Sequence, residues 1–228
     1  MVINQLQTLN LANLILSSGK KIKEHQLDLA NRSLIDYLAS YAAGKRNPHL
    51  KQVIAKLHFQ DKALLGMLNG LISHYQDLDD VQADFRGHPS AVIYSALFAV
   101  SQRENLRHLR AAFVVGVELA GRLGKLLNPA LVKRGWHSTS VIGSLAATAA
   151  LAFYKQVTPS QLVNMLSIAA SQSSGFLFQE GTDAKPLQAG LAARNAITAW
   201  QMTIAGVTAS GNLFANSRGF GQVLVNQN

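Results

Sequence analysis

The chain has 228 residues and no cysteine. Disulfide bonds, thiolate metal sites and a cysteine nucleophile are therefore excluded, and nothing indicates a disulfide-stabilised secreted protein. The sequence also has no Lys or Arg before Lys20, so it lacks the basic start of a secretory signal peptide. These absences together predict a cytoplasmic protein.

Charged residues make up only 14% of the chain, whereas hydrophobic residues make up 48%. This composition excludes a disordered chain and indicates a large apolar core with little charged surface. We expect part of that surface to be covered by another subunit. The longest uncharged apolar run, VIGSLAATAALAF at residues 141–153, is too short to cross a bilayer, so it predicts a buried helix and no membrane partner.

Acidic residues are also few, 12 against 21 lysines and arginines, which gives a formal net charge of +9. The basic residues are spread along the chain in small groups without an interleaved aromatic surface, and no standard nucleic-acid motif is present. Solvated helix faces or an anionic partner explain the positive charge more simply, and we expect no nucleic-acid partner.

Apolar residues recur every three or four positions along most of the chain, which is the spacing of one helix face, and no alternating β-branched run predicts a strand. The expected fold class is therefore all-α, a compact multi-helix array that forms a single helical domain over residues 1–228. Residues from about 207 to 228 are rich in Gly and Asn and are expected to be a loop-rich tail. The predicted helices cover residues 27–42, 48 onward, 62 to about 75, 89 to about 102, 106–127, 159 to about 174 and about 186–205.

Several helix starts have local signals in the sequence. A capping residue or a proline at the first helical position marks three of them, at Asn47-Pro48, at Asp61 and at His88-Pro89. The clearest signal is TPSQ at residues 158–161, a capping box with proline at its first helical position.

Glycines and alanines give two further expectations. Gly175 is expected to end the helix that begins after the capping box. Within residues 106–127, the small residues Gly116, Ala120 and Gly124 repeat every four positions, which predicts that another helix approaches closely.

Three polar clusters stand between the apolar helices. The first, residues 72–90, holds four of the 12 acidic residues, and the others are RGWHSTS at 134–140 and GTDAKPLQAG at 181–190. Each falls in a helix connection or a first helical turn, where side chains and backbone N–H groups can converge on a small anion. Taken singly, each cluster also has a plainer structural explanation. The aspartates of the first can be turn formers and helix caps, His137 of the second can be a core histidine beside Trp136, and Lys185 of the third can be a surface lysine.

Other chemistries fit the sequence less well. The acidic loop has Val81 and Gln82 where a calcium loop needs an oxygen ligand and a glycine. Asp79, Asp80 and Asp84 make a DDxxxD spacing like that of magnesium–diphosphate sites in isoprenoid synthases, but a second acidic cluster is missing. No two histidines stand four residues apart, so a helical zinc site is unsupported, and neither a P-loop, a G-x-G-x-x-G nor a G-x-S-x-G motif is present.

Five motifs follow one another along the chain: NGLISHYQDLDD, GHPS, RGWHSTS, SQSSG and GTDAKPLQAGLAAR. In this order they resemble the motifs of the MmgE/PrpD family. The resemblance runs from about residue 5 to residue 221. Members of that family include 2-methylcitrate dehydratase, cis-aconitate decarboxylase and iminodisuccinate epimerase. The resemblance implies a large all-helical domain, a smaller α/β domain, a homodimer, no metal or organic cofactor, and a small di- or tricarboxylic acid as substrate.

By position in those motifs, the resemblance assigns four catalytic residues, Asp77, His88, His137 and Lys185. It also implies substrate-binding roles for Ser90, Thr139, Thr182 and Gln188. Lys185 is expected to anchor a substrate carboxylate, and a histidine, whose ordinary pKa is about 6.5, to transfer a proton. Asp77 is expected to orient a histidine, and which of the two histidines is the acid and which the base stays open.

Departures from the family pattern concern both residues and length. Leu78 replaces a phenylalanine, Val81 stands where a threonine is common, and Gln188 replaces a histidine. The family subunits are also much longer, so the resemblance implies a truncated chain that lacks the α/β domain.

Two hypotheses about function therefore stand side by side. The first is a working, cofactor-independent lyase or epimerase that acts on an acid such as 2-methylcitrate or cis-aconitate, alone or completed by a separate chain that supplies the missing half. The second is a catalytically inactive relative that serves as a helical binding or oligomerisation module.

Overall fold

The computed structural model describes residues 5–57, 61–101, 105–214 and 216–225. Within these residues it has eleven α-helices and two short 3-10 helices, and its extended pairing is limited to two isolated β-bridges. The all-α fold class is therefore confirmed. The α-helices are α1 (Gln5–Ser17), α2 (Glu24–Arg46), α3 (Pro48–Ala55), α4 (Lys62–His74), α5 (Pro89–Val100), α6 (Leu106–Leu127), α7 (Ala130–Lys133), α8 (Ser138–Tyr154), α9 (Pro159–Gln172), α10 (Ala184–Ile204) and α11 (Phe220–Val225).

The predicted helix starts are confirmed where local caps were expected. The Asn47 side chain accepts a hydrogen bond of 3.1 Å from the Leu50 amide at the start of α3. Asp61 accepts one of 3.2 Å from the Ala63 amide at the start of α4. At residues 158–161 both hydrogen bonds of the capping box form, at 3.2 and 2.8 Å. Short-range side-chain chemistry thus determines where these three helices begin.

The predicted end of α9 is wrong. This helix ends at Gln172, and Gly175 lies in the loop that follows it, with a φ of +126°. A Cβ on Gly175 would stand 2.7 Å from the Ser140 side chain and 3.0 Å from the side-chain oxygen of Gln188. The glycine is therefore required because this loop passes close to α8 and α10, not because it ends a helix.

Two other predicted ends can be compared with the structure. Helix α5 ends at Val100, and the predicted end near Gln102 lies outside the described residues. Helix α10 ends at Ile204, and Gly206 follows it with a φ of +93°, as the sequence predicted.

Within the described part of the tail, the loop is followed by a short helix that the sequence analysis did not predict. Phe220–Val225 forms α11, in which Phe220 and Leu224 are buried. These two apolar residues stand four positions apart, so they share one face of the short helix. Gly221 lies against the Leu127 side chain at the end of α6. The Gly- and Asn-rich segment before this short apolar stripe masks its helical period in the sequence.

Helix α8 lies at the centre of the core. Residues Ser138–Ala152 are all buried, so the prediction of a buried helix in this run is confirmed. The helix packs against α5, α6, α9 and α10. Gly116 of α6 faces the Ala146 carbonyl, which confirms the expected close helix approach there, whereas Gly124 faces the backbone of Asp84 in the loop before α5. Within the described residues, no helix has both the length and the apolar character needed to cross a membrane.

Helices α4 and α10 cross with two glycines at their contact. A Cβ on Gly70 would stand 2.6 Å from the Cα of Gly190, and a Cβ on Gly190 would overlap the Met67 carbonyl oxygen. The two backbones are therefore in direct contact. This crossing determines how close His74, the last residue of α4, comes to Lys185 in the first turn of α10.

Replacing Gly190 by alanine is expected to lower the free energy of unfolding by about 1–3 kcal/mol, because the added methyl group forces the two helices apart. Urea unfolding followed by circular dichroism measures this change. Gly121→Ala is the matched control, since its Cβ would meet only the flexible end of Gln82, at 3.3 Å, and alanine favours the helix. Equal stability of the Gly190→Ala variant and the wild type would contradict the tight crossing.

Candidate functional site

The loop between α4 and α5 contains four aspartates, and the shortest contact of each carboxylate is with a different residue. Because these partners lie in separate places, the carboxylates of the DDxxxD spacing do not converge, and the magnesium–diphosphate interpretation loses its geometric basis. The contacts are Asp77 with Lys185 (2.6 Å), Asp79 with His74 (2.9 Å), Asp80 with the Ser90 amide (2.9 Å) and Asp84 with Lys125 (3.4 Å).

Asp79 lies at the centre of this site, buried between two histidines. Its two carboxylate oxygens lie 2.9 and 3.1 Å from Nδ1 of His74, and one of them lies 3.4 Å from Nδ1 of His88. Burial by itself would raise the pKa of Asp79, but the hydrogen bonds and charges of the two imidazoles outweigh it and lower the pKa to about 2. The carboxylate is therefore ionised at neutral pH and favours positive charge on the His88 ring.

Asp77 provides a second carboxylate, nearer to solvent. One oxygen accepts a hydrogen bond of 2.6 Å from Nζ of Lys185, and the other lies 3.5 Å from Nε2 of His88. The backbone of Asp77 is left-handed, with a φ of +56°, in the turn that directly follows α4. Partial burial would raise the pKa of Asp77, but Lys185, His74 and His88 together lower it.

His88 is flanked by both carboxylates. Its Nε2 faces Asp77, and its Nδ1 faces Asp79, whose backbone carbonyl oxygen is 3.2 Å away. Burial by itself would lower the pKa of His88, but the hydrogen bond and charge of Asp79, with the charge of Asp77, raise it overall. His88 therefore holds its proton more strongly than an ordinary histidine and can act as an acid at neutral pH.

His137 has a different environment, although it belongs to the same group of side chains. Its Nδ1 lies 2.7 Å from the side-chain oxygen of Gln188, and its ring stacks on that of His74 with centroids 6.1 Å apart. Burial lowers the pKa of His137, the hydrogen bond with Gln188 opposes this only in part, and the positive charges of His74, Lys185 and His88 add to the decrease, giving a pKa of about 4. His137 is therefore neutral at pH 7.

Three helix N-termini surround these side chains. His88 and His137 directly precede α5 and α8, and Lys185 lies in the first turn of α10. The backbone amide of His88 donates a hydrogen bond of 3.3 Å to the Thr139 hydroxyl, which joins the start of α5 to the start of α8. A helix N-terminus has a partial positive charge, so this arrangement suits a small anion.

Two of the residues expected to bind substrate hold the histidines in place. Thr139 is buried and accepts the hydrogen bond from the His88 amide. Gln188 is also buried, and its amide bridges His137 and the Phe176 carbonyl oxygen, with Nε2 donating to the latter at 3.1 Å. Both side chains thus have protein partners, and their direct contact with a substrate stays a prediction.

The other two expected binding residues lie at helix starts. Ser90 is buried in the first turn of α5, and its amide donates to the Asp80 carboxylate. Thr182 is exposed in the turn before α10, where its hydroxyl donates a hydrogen bond of 2.8 Å to the Gln179 carbonyl. Substrate contact by these two residues likewise stays a prediction.

The sequence interpretation missed His74 and Asp79 as members of the site. His74 stands three positions before Asp77 in the quoted NGLISHYQDLDD motif, at the end of a helix whose last seven residues are buried. A histidine on such a buried helix face is the feature of the sequence that could have indicated a place in the site. Asp79 and Asp80 are neighbours in the sequence, and only the tertiary structure shows that Asp79 is the one that contacts both histidines.

A second set of missed contacts holds the start of α10. The Asp183 carboxylate accepts a hydrogen bond of 2.9 Å from the Tyr75 hydroxyl and lies 2.8 Å from Nε2 of His49. The hydrogen bond with His49, followed by that with Tyr75, lowers the pKa of Asp183. These contacts join α3 and the end of α4 to the residue that precedes α10, two positions before Lys185.

Four atoms of ligand type, one each from His74, Asp77, Asp79 and His88, lie within 4.8 Å of one another. Imidazole nitrogens and carboxylate oxygens are donors that zinc and related ions accept. Here the same atoms pair with each other, and the Lys185 ammonium next to Asp77 would repel a cation. The cluster is therefore best described as an acid–base network, and we assign no metal to it.

Comparisons with known proteins agree with the sequence resemblance. The profile of the MmgE/PrpD N-terminal domain matches residues 60–228. The cis-aconitate decarboxylase-like protein oryM of Aspergillus oryzae is 33% identical over 143 residues, which cover 58% of this chain and 30% of that protein. The cis-aconitate decarboxylases of Mus musculus and Homo sapiens are 28% identical over 166 residues and 29% identical over 167, and each alignment covers 70% of this chain and 34% of the relative.

The chain spans about a third of the length of these curated relatives. The profile match extends over more than half of the chain and includes the whole cluster from His74 to Gln188. The all-α fold of the described residues agrees with a helical N-terminal domain. The chain therefore belongs to the MmgE/PrpD family.

Proposed function

We propose that this protein takes part in a cofactor-independent lyase reaction on a small di- or tricarboxylic acid, and that decarboxylation of cis-aconitate is the favoured case. The observation that supports it best is a pair of unlike histidines, His88 beside two carboxylates and His137 beside an amide. The choice of substrate follows from the relatives, whose names describe cis-aconitate decarboxylation.

Substrate binding would use the positive groups around the cluster. A substrate carboxylate would share the Lys185 ammonium with Asp77 and lie near the positive ends of the α5, α8 and α10 dipoles. An acid with two or three carboxylates can use several of these positive groups at once. A neutral compound would gain little from them, so the site favours polycarboxylates.

In decarboxylation, the bond between a carbon atom and one carboxylate breaks, and CO2 leaves. The electron pair of that bond shifts the neighbouring double bond, and the carbanion that results needs one proton on carbon. His88 would supply that proton, because its raised pKa lets it hold a proton to higher pH than an ordinary histidine does. Solvent then reprotonates His88, so one proton is consumed for each CO2 released.

Dehydration of a hydroxy acid such as 2-methylcitrate is the second candidate, and the neutral state of His137 favours it. His137 would take the proton next to a carboxylate while His88 gives its own proton to the departing hydroxyl group, which leaves as water. Epimerisation would use the same base and acid on one carbon atom. Decarboxylation needs only the acid, so the dependence of turnover on His137 distinguishes these reactions.

The chain matches only part of each relative, and this affects how the proposed activity would be assembled. Because the alignments cover about a third of each relative, the proposal includes a site that a separate chain completes, as well as one that works alone. The competing hypothesis, a helical binding module without catalysis, predicts that polycarboxylates bind but are not converted.

The protein is expected to convert cis-aconitate with release of CO2. It would do so either alone or together with a separate chain that supplies the rest of the family sequence. Proton NMR of the reaction mixture measures the product, and isothermal titration calorimetry measures binding. His88→Gln should lower turnover by about 10²–10⁴-fold, because proton transfer to carbon is lost. His25→Gln, at an exposed position of α2, is the control and should match the wild type.

A panel that contains cis-aconitate, 2-methylcitrate and related acids decides between the two hypotheses. Binding without turnover of any acid, in both the single chain and the completed assembly, would contradict the lyase proposal and support the binding module. Full turnover by His88→Gln would contradict the role of His88 as the acid.

Lys185→Met is expected to weaken binding of cis-aconitate by roughly 10–100-fold, because a charge-assisted hydrogen bond contributes about 1.5–3 kcal/mol. Calorimetric titration measures the dissociation constant. Lys125→Met is the matched control, since Lys125 pairs with Asp84 outside the cluster. Equal losses in the two variants would indicate general electrostatic attraction rather than a carboxylate anchor at Lys185.

The dependence of kcat/KM on pH follows from the two histidines. His88 must be protonated to act, so decarboxylation should fall as pH rises through its pKa, which lies above the ordinary value of about 6.5. His137 must be neutral for dehydration, so that reaction should also fall as pH decreases toward about 4. Steady-state rates with each acid measure both limbs. Decarboxylation that increases steadily through the alkaline range would contradict His88 as the proton donor.

A further inference from the structure

Both ends of the Gln188 amide have fixed partners. Its Nε2 donates to the Phe176 carbonyl oxygen at 3.1 Å, and its Oε1 lies 2.7 Å from Nδ1 of His137. A carbonyl oxygen can only accept a hydrogen bond, so the contact with Phe176 requires the NH2 end of the amide. The oxygen end therefore faces His137, and the amide has one orientation that satisfies both contacts.

The Phe176 carbonyl is held in place by contacts that do not involve Gln188. The His137 amide donates to the Gly175 carbonyl at 3.0 Å, and the Leu177 amide donates to the Gly135 carbonyl at 2.8 Å. These two hydrogen bonds pair the segment before α8 with the loop after α9. The acceptor that orients the Gln188 amide is therefore part of the backbone framework.

We propose that Gln188 is a positioning residue that holds His137 in the tautomer with the proton on Nδ1, so that Nε2 is the basic nitrogen. The amide oxygen only accepts, so Nδ1 must donate the hydrogen bond between them. Nε2 of His137 has no hydrogen-bond partner in the part of the chain that the structure describes. The use of this nitrogen in catalysis rests on the function proposed above, whereas the tautomer itself does not.

The groups that face His137 explain why an amide suits this position. His74 approaches from α4, His88 from the residue before α5, and Lys185 from α10, while the two carboxylates of the cluster contact those three groups. The Gln188 amide fixes the tautomer without adding a negative charge. Burial and the positive neighbours then lower the pKa of His137, so the ring stays neutral.

NMR of the ¹⁵N-labelled full chain tests the proposal without any substrate, because long-range ¹H–¹⁵N spectra distinguish the two imidazole tautomers. His137→Asn identifies the signals of His137. In the wild type, the Nδ1–H tautomer is expected from about pH 5 to 8. Gln188→Met, which has a similar length but no amide, should give a mixture with the Nε2–H tautomer.

Gln188→Glu provides a second measurement, with the opposite electrostatic effect. A carboxylate beside Nδ1 stabilises the imidazolium, so the pKa of His137 should increase by more than one unit and the acid limb of dehydration should move with it. Turnover that depends on His137 should fall by about 10²-fold in Gln188→Met, because the basic nitrogen is no longer fixed. Gln172→Met, whose native amide donates within α9, is the matched control and should leave the His137 spectrum unchanged.

The outcomes separate this inference from the proposed function. An Nε2–H tautomer in the wild type, or an unchanged Nδ1–H tautomer in folded Gln188→Met, would overturn the positioning role even in an active enzyme. The expected tautomer and the expected Gln188→Glu shift, in a protein that converts no acid, would support the positioning role while contradicting the proposed function. If circular dichroism shows that Gln188→Met does not fold, the wild-type tautomer and the Gln188→Glu titration decide.

Discussion

The site is organised around the buried carboxylate of Asp79. A buried charge is stable only when charged or hydrogen-bonding partners replace the lost water, and Asp79 has two imidazoles for this purpose. His74 comes from the last turn of α4, and His88 directly precedes α5, so the carboxylate joins both ends of the connecting loop. Asp77 lies between them in sequence, and its carboxylate is therefore placed where it can contact both Lys185 and His88.

The position of Lys185 depends on backbone packing rather than on the charges themselves. The crossing of α4 and α10 at Gly70 and Gly190 brings the end of one helix beside the start of the other. The solvent-exposed contacts of Asp183 with Tyr75 and His49 also hold the start of α10 beside the end of α4. Since side chains larger than hydrogen would separate the helices, the ion pair between Lys185 and the acidic loop requires these two glycines.

The chemical difference between the two histidines comes from their immediate neighbours. His88 contacts two carboxylates, and its pKa is raised, while His137 contacts an amide among positive groups, and its pKa is lowered. One fold thus presents two imidazoles with opposite pKa shifts in the same cluster, one favoured to hold a proton and one favoured to be neutral, and this combination suits acid–base chemistry. Gln188, at the position where the family resemblance implied a histidine, provides an uncharged hydrogen-bond acceptor for His137 in this environment.

The sequence by itself determined the all-α class, the family and several helix starts, because caps such as Asn47 and the box at residues 158–161 act over three or four residues. It also indicated the segments that contain Asp77, His88, His137 and Lys185. Only the tertiary structure decided that Asp79 and His74 belong to the cluster, that Gly175 serves a loop approach, and that Phe220–Val225 is helical. Those features depend on which distant surfaces pack together, and local spacing contains no information about the partner across a helix crossing.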